Sequence, residues 1–466
     1  MRKWIGTAAI FLLAAAWFLF ADGGVQAEPV FVDEGATLAQ TSYARLVAAR
    51  DFNHPDWLHF SAYDHQPLYK YYLGAALAVS GHADAIPPDP GKWEAWMQST
   101  YKPPKDDALL AARRAISLAA AIGVAGIYAL GCAARGPMTG LIAAVLFAGS
   151  PVVTTHARRA MIDAVAPGLG AIALGCALAG LATTGRARWW RLAAAGIFGA
   201  LAATAKISAA APLVAACGGC LLAAVFVRGR LQVAALGAFL LLGSVGAGTF
   251  LGIDPYYWAK SDPREASYQG NVVRWQSRTY SMPAATEIKR LAAAGPIDRL
   301  QHALTYRRAA LADAPLKFPD DAIPTARRIE ALAFSGIGRW ACGARGYTEA
   351  EARRPWTDRI DGIDRARGAA IFGLALLGVI FAYTEGRRQS RTGAIPSLWI
   401  LALWPLVEMA ILLPNLTLDW DRYYLGAIAW SSVLAAFAVT GIGERIVNQL
   451  RLPPRPAEPP ALGAGS

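Results

Sequence analysis

Apolar residues run along this chain in long blocks broken by short basic stretches. Blocks at 4–20, 109–131, 139–154, 164–183, 192–205, 208–227, 231–252, 368–383, 395–413 and 423–442 approach or reach the roughly 20 residues a helix needs to cross a bilayer. The pattern predicts an all-α polytopic membrane protein of about ten transmembrane helices. Two blocks are short. The stretch 192–227, flanked by arginine at both ends, reads as a tightly bent pair.

The polar punctuation orients these spans. Short cytoplasmic loops are enriched in Lys and Arg. Arg2 and Lys3 precede the first block, Arg135 follows the second, and Arg186, Arg188 and Arg191 fill a later connection. Arg228 and Arg230, then Arg387, Arg388 and Arg391, then Arg445, Arg451 and Arg455 continue the series. With both termini inside, every cluster falls in the cytoplasm. Two large segments, 21–108 and 253–367, then face outside. The chain divides into an N-terminal membrane module (1–252), a large outer loop (253–367), C-terminal membrane helices (368–443) and a proline-rich, disordered cytoplasmic tail (444–466). Residues 67–80 are apolar but too short to span, so they are expected to lie along the interface, where Tyr69, Tyr71 and Tyr72 suit the depth. Residues 297–312 read as an amphipathic helix. Arg2-Lys3, the first apolar block and Val25-Gln26-Ala27 also have the outline of a cleavable signal peptide. The sidedness of everything downstream is the same either way.

Composition agrees. With 55% hydrophobic and 17% charged residues among 466 and a mean hydropathy of +0.32, the chain departs from soluble domains, in which about a quarter of residues are charged. The net charge of +12 is spread between apolar blocks and forms no stripe, which argues against nucleic acid as a partner. Cys132, Cys176, Cys217 and Cys220 lie within apolar blocks and Cys342 in a polar loop, so no disulfide framework is implied. Cys217 and Cys220 flank Gly218 and Gly219, which suits close helix packing better than redox or metal chemistry.

Once the topology is fixed, five clusters of ionisable residues face outward: Asp33-Glu34, the stretch His65 to Lys70, Arg158-Arg159 through Asp163, Lys206 between two apolar blocks, and Asp419 through Tyr423. Charges at membrane depth are costly and mark functional sites by default. Any one cluster fits solvated loop charge near the headgroups. Five on one face point to chemistry.

The order and spacing of these clusters resemble the GT-C glycosyltransferases that use polyprenyl-phosphate sugars, in particular the protein O-mannosyltransferase family (glycosyltransferase family 39) and its aminoarabinose-transferring relatives. The acidic pair of the family's first outer loop corresponds to Asp33-Glu34, and its His-Pro-Pro-x-x-Lys stretch to His65-Gln66-Pro67-Leu68-Tyr69-Lys70, with Gln in place of one proline. Arg158 through Asp163 matches an Arg-x-x-x-x-Asp element, and Gly199 through Lys206 a Gly-Leu-Ala-x-x-x-Lys-like one. Asp254-Pro255 to Pro263 resembles the exit from a span, with Asp where Asn is common, and Arg422-Tyr423 the Arg-Tyr before the last span. The resemblance extends over about 4–442 and is weakest across 270–367, the expected seat of acceptor choice.

This resemblance implies an integral enzyme of a bacterial plasma membrane, with its site facing the periplasm or exterior. It would move a sugar from a polyprenyl-phosphate carrier to a lipid, glycan or protein acceptor. The chemistry needs a carboxylate to take the acceptor's proton, for which Asp33 is the candidate, with Glu34 in support. It also needs cations on the leaving phosphate: Lys70, Arg158 or Arg159, Lys206 and Arg422 are available, beside Tyr423, with His65 as a surface hydrogen-bonding residue. Asp163 would orient an arginine, contact the acceptor, or simply cap a helix. Asp33, Glu34 and Asp163 are also hard ligands suited to Mg or Mn, though no DxD motif accompanies them. Two other classes stay open. A transporter would carry midplane charges, of which Glu408 is the lone acidic instance, and repeated halves, which the sequence lacks. A lipid-linked glycan polymerase or ligase would use a large outer loop such as 253–367.

Overall fold

The computed structural model describes residues 2–58, 62, 66–87, 106–260, 290–317, 319–337 and 362–450. His65 and Cys342 lie outside the described residues, and of the tail 444–466 expected to be disordered, residues 444–450 instead continue the last helix while the rest lies outside the described residues. The helices in chain order are α1 (Arg2–Asp22), α2 (Val32–Ala39), α3 (Tyr43–Ala48), α4 (Pro67–Val79), α5 (Asp106–Ala134), α6 (Pro137–Ala148), α7 (Pro151–Ala157) and α8 (Val165–Leu181). Then come α9 (Arg186–Ala205), α10 (Ala211–Phe226), α11 (Arg230–Ile253), α12 (Pro296–Lys317), α13 (Gly362–Arg391), α14 (Trp399–Asn415) and α15 (Leu425–Leu450). No strand pairing beyond one isolated bridge, Ala322 with Leu418, occurs among the described residues. The protein is an all-α integral membrane protein.

Against the ten predicted spans, six described helices are long and apolar enough to cross a bilayer, or up to seven if a bent pair is one span. The apolar part of α1 and the whole of α14 are shorter. The block 139–154, read as one span, is α6 and α7 meeting at 69°. Pro151 begins α7 without an N–H to continue the α6 ladder, and Ser150 caps it by accepting from Val153 N at 3.5 Å. The pair 192–227 is two helices joined by a short 3-10 turn, Ile207–Ala210, with Lys206 at the break.

Lipid, unlike water, does not drive apolar faces inward, so contacts between these helices rely on small residues and close approach. The helices α8 and α15 are mostly enclosed by the bundle, whereas α11 and α13 lie at its margin. Phe11, Leu12, Val225, Val233, Leu240 and Ile380 are exposed on its outside, as a lipid-facing surface requires. Where α5 crosses α8, a Cβ at Gly168 would overlap the Cα of Gly123. The variant Gly168→Val is therefore expected to destabilise the bundle by about 1–3 kcal/mol, read as a lower unfolding temperature in detergent. An unchanged temperature would mean the crossing is looser than described.

At the arginine-rich end, Arg135 after α5 pairs with Glu444 of α15 at 2.8 Å. At the other end the outer segments pack back onto the bundle. The helix α4, expected along the interface with its tyrosines at headgroup depth, instead packs against α3 and α5. Tyr69 is buried and Tyr72 donates its hydroxyl proton to the Ala115 carbonyl at 2.7 Å.

Candidate functional site

The acidic pair separates into two jobs at the first turn of α2. The Glu34 carboxylate is fully buried. It accepts from Arg113 Nε at 2.8 Å, Arg113 Nη2 at 2.7 Å, the Ala160 backbone N–H at 2.7 Å and the Phe31 backbone N–H at 2.8 Å. Arg113 in turn donates to the carbonyls of Val25 (2.8 Å), Glu28 (2.7 Å) and Pro29 (3.0 Å). Glu34 therefore ties α2, α5 and the turn before α8 together. Asp33, one residue earlier, is 38% exposed at its side chain and accepts from Arg422 Nη1 through Oδ2.

Around Asp33 the structure gathers residues from three other parts of the chain. Arg422 comes from the 3-10 turn Asp421–Tyr423 that leads into α15, with its guanidinium 4.7 Å from the Trp420 ring centroid. Trp420 and Tyr423 stack at 5.8 Å, nearly parallel at 10°. Lys206, extended at the end of α9, donates to Asp163 Oδ1 at 2.6 Å and to the Arg422 backbone carbonyl at 2.8 Å. Its ammonium lies 5.5 Å from the Tyr423 ring centroid. Asp33, Arg422, Tyr423, Lys206 and Asp163 thus form one connected group at the ends of α2, α9, α15 and α8. An ammonium carries three donors and a guanidinium five, so both cations retain donors for an incoming anion.

The other expected cations stand apart. Arg158 donates to the carbonyls of Ala21 (3.1 Å) and Phe20 (3.3 Å) in the last turn of α1. Gly24 leaves room for it, because a Cβ there would overlap the guanidinium. Arg159 pairs with Glu28 at 2.9 Å and lies over the Phe31 ring. Lys70 is buried in a second polar group: it donates to the Ala62 carbonyl at 3.1 Å, faces the Tyr43 ring at 4.8 Å, and its charge acts on Asp254 just past α11. Burial pushes the Asp254 carboxyl above the usual carboxylate range, and the Lys70 ammonium pulls it back. Asp254 also caps the 3-10 turn that follows it, accepting from Tyr256 N at 3.1 Å. His65 lies outside the described residues. Glu408, deep in α14, accepts from the Trp404 indole N–H at 2.9 Å.

Asp33, Glu34 and Asp163 are each paired with a cationic side chain. No group of three or more His, Cys, Asp or Glu among the described residues is placed to hold a metal ion. The three carboxylates do not fit a shared Mg or Mn site as arranged.

Two residues of this region escape the sequence reading. Arg113 carried a signal: a charge four residues into the apolar block 109–131 requires a buried carboxylate partner. His156, buried on α7, carried only a weak one, its place two residues before the Arg158–Asp163 cluster.

No protein-family model matches the sequence, and no curated protein matches it. Solved structures do. The archaeal oligosaccharyltransferase AglB from Archaeoglobus fulgidus, in complex with an inhibitory peptide and a dolichol-phosphate, aligns at a TM-score of 0.47 and 12% identity, covering 97% of this chain and 53% of that one. The Archaeoglobus fulgidus oligosaccharyltransferase in complex with Zn and sulfate gives 0.48 and 12%, covering 94% and 50%. ArnT from Cupriavidus metallidurans bound to undecaprenyl phosphate gives 0.32 and 14%, covering 97% and 81%. The chain spans about half the length of these oligosaccharyltransferases.

Proposed function

We propose that this protein is an inverting glycosyltransferase of the GT-C type, moving a sugar from a polyprenyl-phosphate carrier to an acceptor hydroxyl at the outer face of the membrane. The observation that supports it is the convergence of Asp33, Arg422, Lys206 and Asp163 at helix ends opposite the arginine-rich face. In this reading the acceptor oxygen attacks C1 of the sugar in line with the departing phosphate. The C1–O bond to phosphate breaks, its electron pair leaves with the phosphate, and Asp33 takes the acceptor's proton. Arg422 and Lys206 stabilise the charge gathering on the leaving oxygen, which is worth more in the transition state than in the ground state. Asp163 holds Lys206, and Glu34 with Arg113 holds the turn that presents Asp33.

The test incubates purified protein with a panel of polyprenyl-phosphate sugars and an extract of membrane lipids and glycans, and measures released polyprenyl phosphate. Release with one sugar, lost in an Asp33 variant, is expected. Release with none of them, together with solute flux in liposomes, would replace the enzyme with a transporter. Within the active protein, Arg422→Lys keeps the charge but loses the fork that grips phosphate through two donors. It is expected to cost about tenfold or more in kcat/KM for the donor, expressed mainly in donor KM. Wild-type donor kinetics for Arg422→Lys would remove Arg422 from the phosphate.

A further inference from the structure

His156 sits on α7 with 2% of its surface exposed. Neither ring nitrogen has a hydrogen-bond partner in the protein. A buried polar atom left unpaired costs on the order of 1–3 kcal/mol, so such groups in native structures mark either a defect or a function. The placement favours function. The helix α7 packs against both the 3-10 turn holding Asp163 and the turn holding Arg422. The charges whose fields reach the imidazole are those of Asp163, Arg159, Asp421 and Lys206. The unpaired ring therefore lies on the short helix that packs against the turns carrying Asp163 and Arg422.

That pair has a problem to solve during a reaction at this site. Lys206 holds Asp163 Oδ1 at 2.6 Å. The phosphate of an arriving donor, a phosphodiester monoanion, meets the one donor that Lys206 has left and draws the ammonium from Asp163. To the extent that the ammonium turns to the phosphate, Asp163 is left as a poorly paired carboxylate that repels the anion. A neutral imidazole offers one N–H donor, and His156 has that donor uncommitted.

We propose that His156 is a positioning residue for the donor: its imidazole N–H takes up the Asp163 carboxylate as the phosphate draws the Lys206 ammonium away. No bond is made or broken; one hydrogen bond replaces another, and the negative charge of Asp163 stays neutralised while Lys206 serves the phosphate. The inference rests on the polyprenyl-phosphate reading of the site.

A double-mutant cycle on polyprenyl phosphate binding tests it. Affinity of the purified full chain for polyprenyl phosphate in detergent is measured by titration calorimetry for wild type, His156→Phe, Asp163→Asn and the double variant, with the unfolding temperature of each. His156→Phe is expected to weaken binding about tenfold, the scale of a hydrogen bond to a charged group. In the Asp163→Asn background the same change is expected to cost less than about twofold, because the carboxylate that His156 serves is gone. His156→Gln, which retains an N–H donor, is expected to recover most of the loss. If His156→Phe does not fold, His156→Leu, which also lacks a donor, enters the cycle in its place. Equal losses in both backgrounds, or no loss in either, would overturn the inference while leaving the donor reading intact. Absence of polyprenyl phosphate binding by wild type would overturn both.

Discussion

Asp33→Asn is expected to leave the protein folded and to lower sugar transfer by about 10²-fold or more, the usual scale for removing a general base. The substitution is nearly isosteric. Its amide oxygen still accepts from Arg422, which donates to Asp33 Oδ2 in the native protein, so neither the α2 turn nor the Asp421–Tyr423 turn loses its mutual contact. What is lost is the ability to take the acceptor's proton. The signature is a fall in kcat with polyprenyl phosphate binding and unfolding temperature close to wild type, measured by product release and calorimetry on the same preparation. Near-normal turnover would eliminate Asp33 as the base. The successor would then be Asp163, 13% exposed at its side chain, and not Glu34, whose carboxylate is enclosed and already accepts from Arg113 and two backbone N–H groups.

Much of the architecture behind this prediction was legible in the sequence, for a physical reason. Lipid demands continuous apolar runs and a charge asymmetry between the two faces, and both are written locally along the chain. The blocks at 109–131, 164–183, 208–227, 231–252 and 423–442 each fall within a described helix or run into it. The block at 139–154 misled because length and apolarity ignore Ser150-Pro151, the cap and proline that break it into α6 and α7. The same local signal was present and outweighed by the hydrophobic run.

The site was legible in its residue types but not in its partnerships. Of the expected phosphate cations, Lys206 and Arg422 meet beside Asp33, while Arg158 covers the end of α1 and Lys70 is enclosed near Asp254. Each of these residues looks alike in sequence, a basic side chain at an outward helix end. Which of them converge depends on how far each helix end is carried across the bundle, and a single sequence does not encode that locally. Arg158 also shows how a motif residue can act by structure: its guanidinium donates to the Phe20 and Ala21 carbonyls in the last turn of α1.

The largest stability effect is expected at Arg113→Met. Arg113 spends all five of its N–H donors, two on Glu34 and three on the carbonyls of Val25, Glu28 and Pro29. The two charged groups are almost wholly enclosed, at 4% and 0% side-chain exposure. Removing one member of such a pair leaves an uncompensated charge in a poorly solvated place, and the cost is about 3–5 kcal/mol. Three carbonyls of the first outer segment also lose their donor. The segment 25–29 and the first turn of α2 are then held by the Arg159–Glu28 pair, the Ala160 N–H on Glu34 and the Arg422–Asp33 contact. Glu34→Gln is expected to cost less, because the amide oxygen still accepts and Arg113 keeps its three carbonyl partners. The double variant Glu34→Gln with Arg113→Met removes the stranded charge and should be more stable than Arg113→Met alone, by an interaction energy that additivity does not predict. Unfolding temperatures of the four proteins in one detergent close the cycle. A wild-type temperature for Arg113→Met would mean that the pair does not anchor the first outer segment, and that the turn presenting Asp33 is held by the remaining packing of α2 against α4.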